Sequence, residues 1–103
     1  MVELTILIPI QGNEGKAFTP AHHQTWERYV VETFGGFSLL PGSVVGAWSD
    51  GGVVFNDHTR AYVIAVDGIL AIADKIRIAV RYAAQHYEQR TIYVRYLGVS
   101  EVI

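Results

Sequence analysis

The stretch TPAHHQTWERYVVETF, Thr19 to Phe34, gathers the residue types best suited to acid–base chemistry: two histidines, a tryptophan and a glutamate. At about 100° per residue, a helix here turns Trp26, Val30 and Phe34 into one apolar stripe. His23 falls inside that stripe and Glu27 at its edge, and a spacing of four makes the two neighbours. His22 projects to a different side, beside Trp26 and Tyr29, so the adjacent histidines do not converge on one small site. His23 and Glu27 are therefore the candidate catalytic pair. In such a pair the carboxylate fixes the imidazole tautomer, while partial burial raises the acid's pKa. The helix N-terminus disfavours an imidazolium and keeps His23 neutral, able to act as a base. The plainer alternative is that His23 packs in the first turn and Glu27 pairs with a basic neighbour.

A metal site needs a third ligand. His58 is the obvious extra imidazole besides His86, with Asn56 and Asp57 as oxygen donors, but no spacing matches a metal motif. The sequence therefore implies neither metal nor cofactor. QGNEGK resembles a phosphate loop only superficially, because no Ser or Thr follows Gly15-Lys16 and Glu14 repels an anion. Its amides, Lys16 and the following helix N-terminus offer a place for a carboxylate; a mobile surface loop is the alternative. No serine lies in a nucleophile motif.

The elements that position these residues follow from patterning. VELTILIPI is β-branched and ends at Pro9, as a first strand should. Thr19 is a good N-cap, Pro20 suits the first helical position, and Gly35-Gly36 stops the helix. FSLLPG reads as a connection. SVVGAW and VVFNDHTRAYVIAV flank SDGG, a tight hairpin turn. Asp67-Gly68 opens a second helix from Ile69 to about Gln89, and TIYVRYLGV is the last strand. The order β-α-β-β-α-β is the ferredoxin-like split pattern, an α+β fold. It predicts a four-stranded antiparallel sheet, its first and third strands central, with both helices on one face. Residues 1–103 form a single domain on this reading.

Alternation sorts the strands into two faces. Leu4, Ile6 and Ile8 oppose Glu3, Thr5 and Leu7; Val63 and Ala65 oppose Arg60, Tyr62, Ile64 and Val66. If the small aliphatic sets pack on the helices, the open face carries Tyr62, Ile64, Tyr93, Arg95 and Trp48. Such a face is too apolar to be left in water. It predicts a homo-oligomer, a dimer through the open sheet face. A groove for a small, partly apolar ligand, lined by Trp26, Trp48, Tyr62, Tyr93 and Arg95, is the alternative use. In the second helix, Ile78, Tyr82 and His86 form a further stripe that would suit another oligomer contact; Ile78 as a simple exposed aliphatic is the alternative.

FGGFSLLPGSVVGAWSDGGVV, together with RYAAQHYEQRTIYV, resembles an uncharacterised family of short bacterial proteins. That family shows a Phe-Gly segment, then Gly-x-Trp, then a glycine turn and a strand. The matching positions are Phe34, Gly36, Gly46, Trp48, Gly52, Tyr82, Tyr87 and Gln89, and the resemblance implies no activity. At the fold level the chain also looks like dimeric α+β-barrel proteins, some of them small isomerases or monooxygenases.

Composition bounds the rest. The 103 residues contain no cysteine, half are hydrophobic, 17% are charged and the formal charge is −2. Disulfides and thiolate metal sites are excluded. High apolar content in a small chain points again to a subunit interface. A slightly acidic chain whose first strand has no aromatic residue does not suit a base-stacking platform, so nucleic-acid binding on the open face is the weakest reading. MVELTILIPI has no basic leader, and no segment reaches membrane-spanning length, so a cytoplasmic protein is expected. The leading functional reading is an oligomeric small-molecule-binding or interaction module. A cofactor-free enzyme of the α+β-barrel kind, using His23 and Glu27, stands beside it.

Overall fold

The computed structural model describes residues 2–99, with the side chains at positions 48, 50, 55, 69 and 97–99 outside that description. In chain order the elements are β1 (Val2–Pro9), α1 (Pro20–Phe34), β2 (Ser38–Leu39), β3 (Val44–Asp50), β4 (Val53–Val66), α2 (Ile69–His86) and β5 (Tyr93–Val99). All pairings are antiparallel and the sheet order is β2-β4-β1-β5, with β3 also on β4. β1 and β4 are therefore the central strands, as the split pattern requires.

The expected connection FSLL contributes a short fifth strand. β4 is 14 residues long, more than any one partner covers. β3 takes Val53 to Thr59, and β2 takes Tyr62 and Val63. Pro41 and a left-handed Gly42 (φ 77°) lie between β2 and β3. Proline has no N–H to donate to a ladder, which accounts for the interruption.

The hairpin turn forms as the sequence implies. Gly51 and Gly52 both have positive φ (58° and 83°), the requirement of a two-residue turn that matches strand twist. β1 ends opposite Thr59 at Pro9. Beyond that point β3 and the first half of β4 continue as a two-stranded ribbon without β1.

The cores of the two helices meet one sheet face. Leu4, Ile6 and Ile8 from β1 and Tyr62, Ile64 and Val66 from β4 pack with Trp26, Val30, Ile76, Ala83 and Tyr87. This corrects the expected assignment of Tyr62 and Ile64 to the open face. Register decides it: Ile64 sits opposite Leu4 and Tyr62 opposite Ile6, so each pair must share a face. Sorting by side-chain size ignored that coupling. Tyr93 pairs with Leu7 and Arg95 with Thr5, so those two do lie on the face away from the helices, as expected.

α1 begins with the Thr19 hydroxyl accepting from the His22 N–H at 3.1 Å and ends at Gly35, φ 92°, whose N–H donates to Val31 O. α2 stops at His86, three residues short of the expected end. Glu88 adopts φ 52°, and the N–H groups of Glu88 and Gln89 donate to the carbonyls of Gln85 and Ala84. This is a Schellman ending with glutamate where glycine is usual. Among the described residues, no helix is long and apolar enough to cross a membrane.

Candidate functional site

α1 and α2 meet along a seam of rings. Phe18 stacks on His22 (centroids 4.9 Å apart), His22 on His86 (3.8 Å), His86 on Tyr82 (5.7 Å) and Tyr82 on Tyr29 (4.0 Å), all within 16° of parallel. Tyr82 and His86 thus face α1 and do not form the outward stripe expected with Ile78, which alone of the three is exposed.

His22 and His86 are also joined by two reciprocal hydrogen bonds. Each ring's Nε2–H donates to the other residue's backbone carbonyl, both at 2.7 Å. A carbonyl only accepts, so both rings carry their proton on Nε2. Two helix ends far apart in sequence are thereby stapled together.

Inside the seam, His23 is 6% exposed, and its Nδ1 shares a hydrogen bond of 2.8 Å with the Tyr87 hydroxyl. Burial pulls the His23 pKa from 6.5 down to about 4, and the positive Arg60 with the neighbouring His22 and His86 push the same way. Tyr87 is fully buried, and burial first, then the neighbouring Tyr62, push its hydroxyl well above the usual tyrosine range. Neither group transfers protons readily near neutrality.

Glu27 belongs to a second cluster. Its Oε2 accepts from the Tyr62 hydroxyl at 3.0 Å and lies 3.8 Å from Arg60 Nη1, with the Glu27 and Arg60 side chains each a quarter exposed. Tyr62, like Tyr87, has its pKa raised by burial and by the Glu27 carboxylate.

His23 and Glu27 are therefore adjacent on α1, as the four-residue spacing implies, yet each is engaged elsewhere. Tyr87, not Glu27, holds the imidazole. Tyr87 fell within the expected span of the second helix, but its hydroxyl's target was not readable. Arg60 shares the alternation of Tyr62, which was the available clue to its place beside Glu27.

The other candidates separate. Trp26 is fully buried in the core, edge-on to Tyr62 at 6.1 Å, and its indole nitrogen has no hydrogen-bond partner among the described residues. Tyr93 is 57% exposed with the Arg95 guanidinium 5.8 Å from its ring centroid, a cation–π pair on the open face. Trp48 lies opposite Phe55 in the ribbon register, and its side chain falls outside the described residues. Trp26, Tyr62 and the open-face pair thus do not line a common groove.

A concavity of about 550 Å³ does open at the seam's end, against Lys16, Phe18, His22, Tyr87 and Glu88. The QGNEGK segment, expected as a mobile loop or carboxylate site, forms one wall as an ordered turn. Gln11 bridges Ala17, the Gly12 N–H donates to Lys16 O at 2.8 Å, and Asn13 Nδ2 reaches Glu88 O at 3.4 Å. Among the described residues, no group of three or more His, Asp or Glu is arranged to hold a metal ion. His58 is exposed on the ribbon, opposite Val45.

No protein-family model and no curated protein matches the sequence, so the Phe-Gly and Gly-x-Trp pattern stands as a resemblance alone. Among solved structures the chain is similar to a divalent cation tolerance protein, Cut A1, from Thermus thermophilus. The TM-score is 0.63 at 13% identity, covering 99% of this chain and 86% of that one. The likeness is one of fold, and it agrees with the ferredoxin-like α+β arrangement described above.

Proposed function

We propose that the chain is a self-associating interaction module whose β3–β4 ribbon is covered by further copies of itself. The supporting observation is the ribbon's exposure in the isolated chain: Val45 is 65%, Val53 54% and Val54 64% exposed. By register Val45 and Val54 share one face and Val53 takes the other, so each face presents exposed valine. A two-stranded ribbon is marginally stable in water by itself and gains most from burying such faces. Tyr93 and Arg95 on the face away from the helices extend the surface available to a partner, the dimer contact that the sequence suggested. Light scattering on the purified chain tests this. The wild type should have at least twice the 11.4 kDa chain mass. Val45→Lys with Val54→Lys should return it to one chain while preserving the circular dichroism of the fold. A wild type that is monomeric at tens of micromolar would remove the reading.

A second reading has an observation of its own. The concavity at the end of the seam joins an aromatic wall, Phe18 and Tyr87, to a cation, Lys16, a combination suited to a small, partly apolar carboxylate. Benzoate is a simple probe. Titration should shift the amide resonances of Lys16 and Phe18, and Lys16→Glu should abolish the shifts; no shift at millimolar benzoate ends this reading.

A further inference from the structure

The reciprocal His22–His86 pair does more than fill space. Both hydrogen bonds run from a ring nitrogen to a main-chain carbonyl, so the rings join the backbone at the start of α1 to the backbone at the end of α2. In the neutral state each ring spends its one N–H on this joint and leaves Nδ1 free to take a proton. The rings lie 3.8 Å apart, nearly parallel, between Phe18 and Tyr82.

One added proton is tolerated by this geometry. A single imidazolium still donates from Nε2 and is attracted by the aromatic faces around it. His86 sits in the last turn of α2, where carbonyl groups favour a cation. A second proton is different. It places two like charges face to face, one of them in the first turn of α1 where the helix end is positive.

We propose that the His22–His86 pair is an acid-operated latch: neutral or singly charged it holds the helix ends together, and protonation of both rings releases them. The titratable groups around the joint do not cancel this response. From α1 these are His23 and Glu27; from α2 and its cap, Tyr82, Tyr87 and Glu88; from β4, Arg60 and Tyr62; and from the turn, Glu14 and Lys16. Glu27 is occupied by Tyr62 and Arg60, and Glu14 and Glu88 lie exposed on the rim of the concavity. His23 stays neutral until about pH 4 while it is buried; an opening that exposes it takes up a proton below pH 6.5, a response common to the wild type and to variants of His22 or His86. Release separates His22 from His86 and with it one wall of the concavity from α2, while the sheet is untouched.

Amide hydrogen exchange, corrected for the intrinsic pH dependence of the chemistry, tests the latch on the intact chain. From pH 7.5 to pH 5.5, protection at residues 22–24 and 86–89 should fall about tenfold beyond the response of His23, because a freed ring gains about that factor in proton binding. Protection in β1 and in the second half of β4 also falls over this range, because unfolding exposes His23, but it should stay above that at the joint at both pH values. His22→Gln and His86→Gln each keep an N–H donor but cannot charge, so in either variant the fall between the two pH values should shrink about tenfold, to the part that His23 produces. An unchanged ratio in the wild type would overturn the proposal. So would a fall of the full wild-type size in both variants, or protection at residues 22–24 and 86–89 no lower than in β1.

Discussion

His23 is the residue whose chemistry the fold alters most. It is an imidazole placed among buried rings, with Arg60, His22 and His86 around it, and its pKa drops from 6.5 to about 4. The sign of the consequence is fixed by linkage. The unfolded chain takes up a proton at His23 below pH 6.5, whereas the folded chain does not until about pH 4. The stability that this site contributes is therefore complete above pH 6.5 and is lost as pH falls through the interval to about 4, a total of about 3 kcal/mol. Urea unfolding between pH 7.5 and 4 should show that decline. Tyr87→Phe, which leaves the buried His23 nitrogen without its partner, should lower stability at neutral pH by a further ~1–2 kcal/mol. A variant as stable as the wild type would mean that the hydroxyl contributes nothing to holding the ring. The sequence placed His23 in the buried stripe and Glu27 at its edge correctly, because both follow from helical spacing alone. The partners were not legible: Tyr87 lies 64 positions from His23 and Tyr62 35 from Glu27. No local period reports which hydroxyl reaches across.

Among the elements, α2 shows how a local irregularity sets a boundary. Its apolar period runs on through Tyr87, yet the helix ends at His86 because Glu88 turns left-handed and closes a Schellman ending. A non-glycine residue in that conformation carries a penalty of about 1 kcal/mol. Glu88→Gly should therefore stabilise the protein, by about 0.5–1 kcal/mol after the added flexibility of the unfolded chain is counted. The midpoint of thermal unfolding reports it, and a lower midpoint would show that the Glu88 side chain contributes more than its backbone costs. The sheet teaches a related lesson. Alternation within VIAV and TILI was readable, but which set faces the helices depends on register between strands. Ile6 opposite Tyr62 ties a tyrosine to the core that size alone assigned to the surface. The extra strand β2 was hidden for a similar reason: two residues paired to a long neighbour leave no pattern of their own.

At the scale of the whole molecule, the question is what covers the ribbon. The strand order, the two helices on one face and the glycine turn all follow from the β-α-β-β-α-β pattern, and the likeness in fold to a divalent cation tolerance protein agrees with them. The ribbon itself is an excess of strand over sheet. β4 continues past the end of β1, and the valines there are left largely exposed by their own chain. The apolar composition foretold a surface of this kind, though not where the fold would put it.

The most direct test uses the absence of cysteine from the chain. Val54→Cys places a single thiol on the ribbon, where the isolated chain leaves the residue 64% exposed; Leu70→Cys, at a site 95% exposed on α2, is the control. With the ribbon covered by other copies, a maleimide should label the Val54→Cys thiol about tenfold or more slowly than the control at high protein concentration, the gap closing on dilution as mass action frees the chain. Equal, rapid labelling of both thiols at every concentration would contradict self-association through the ribbon.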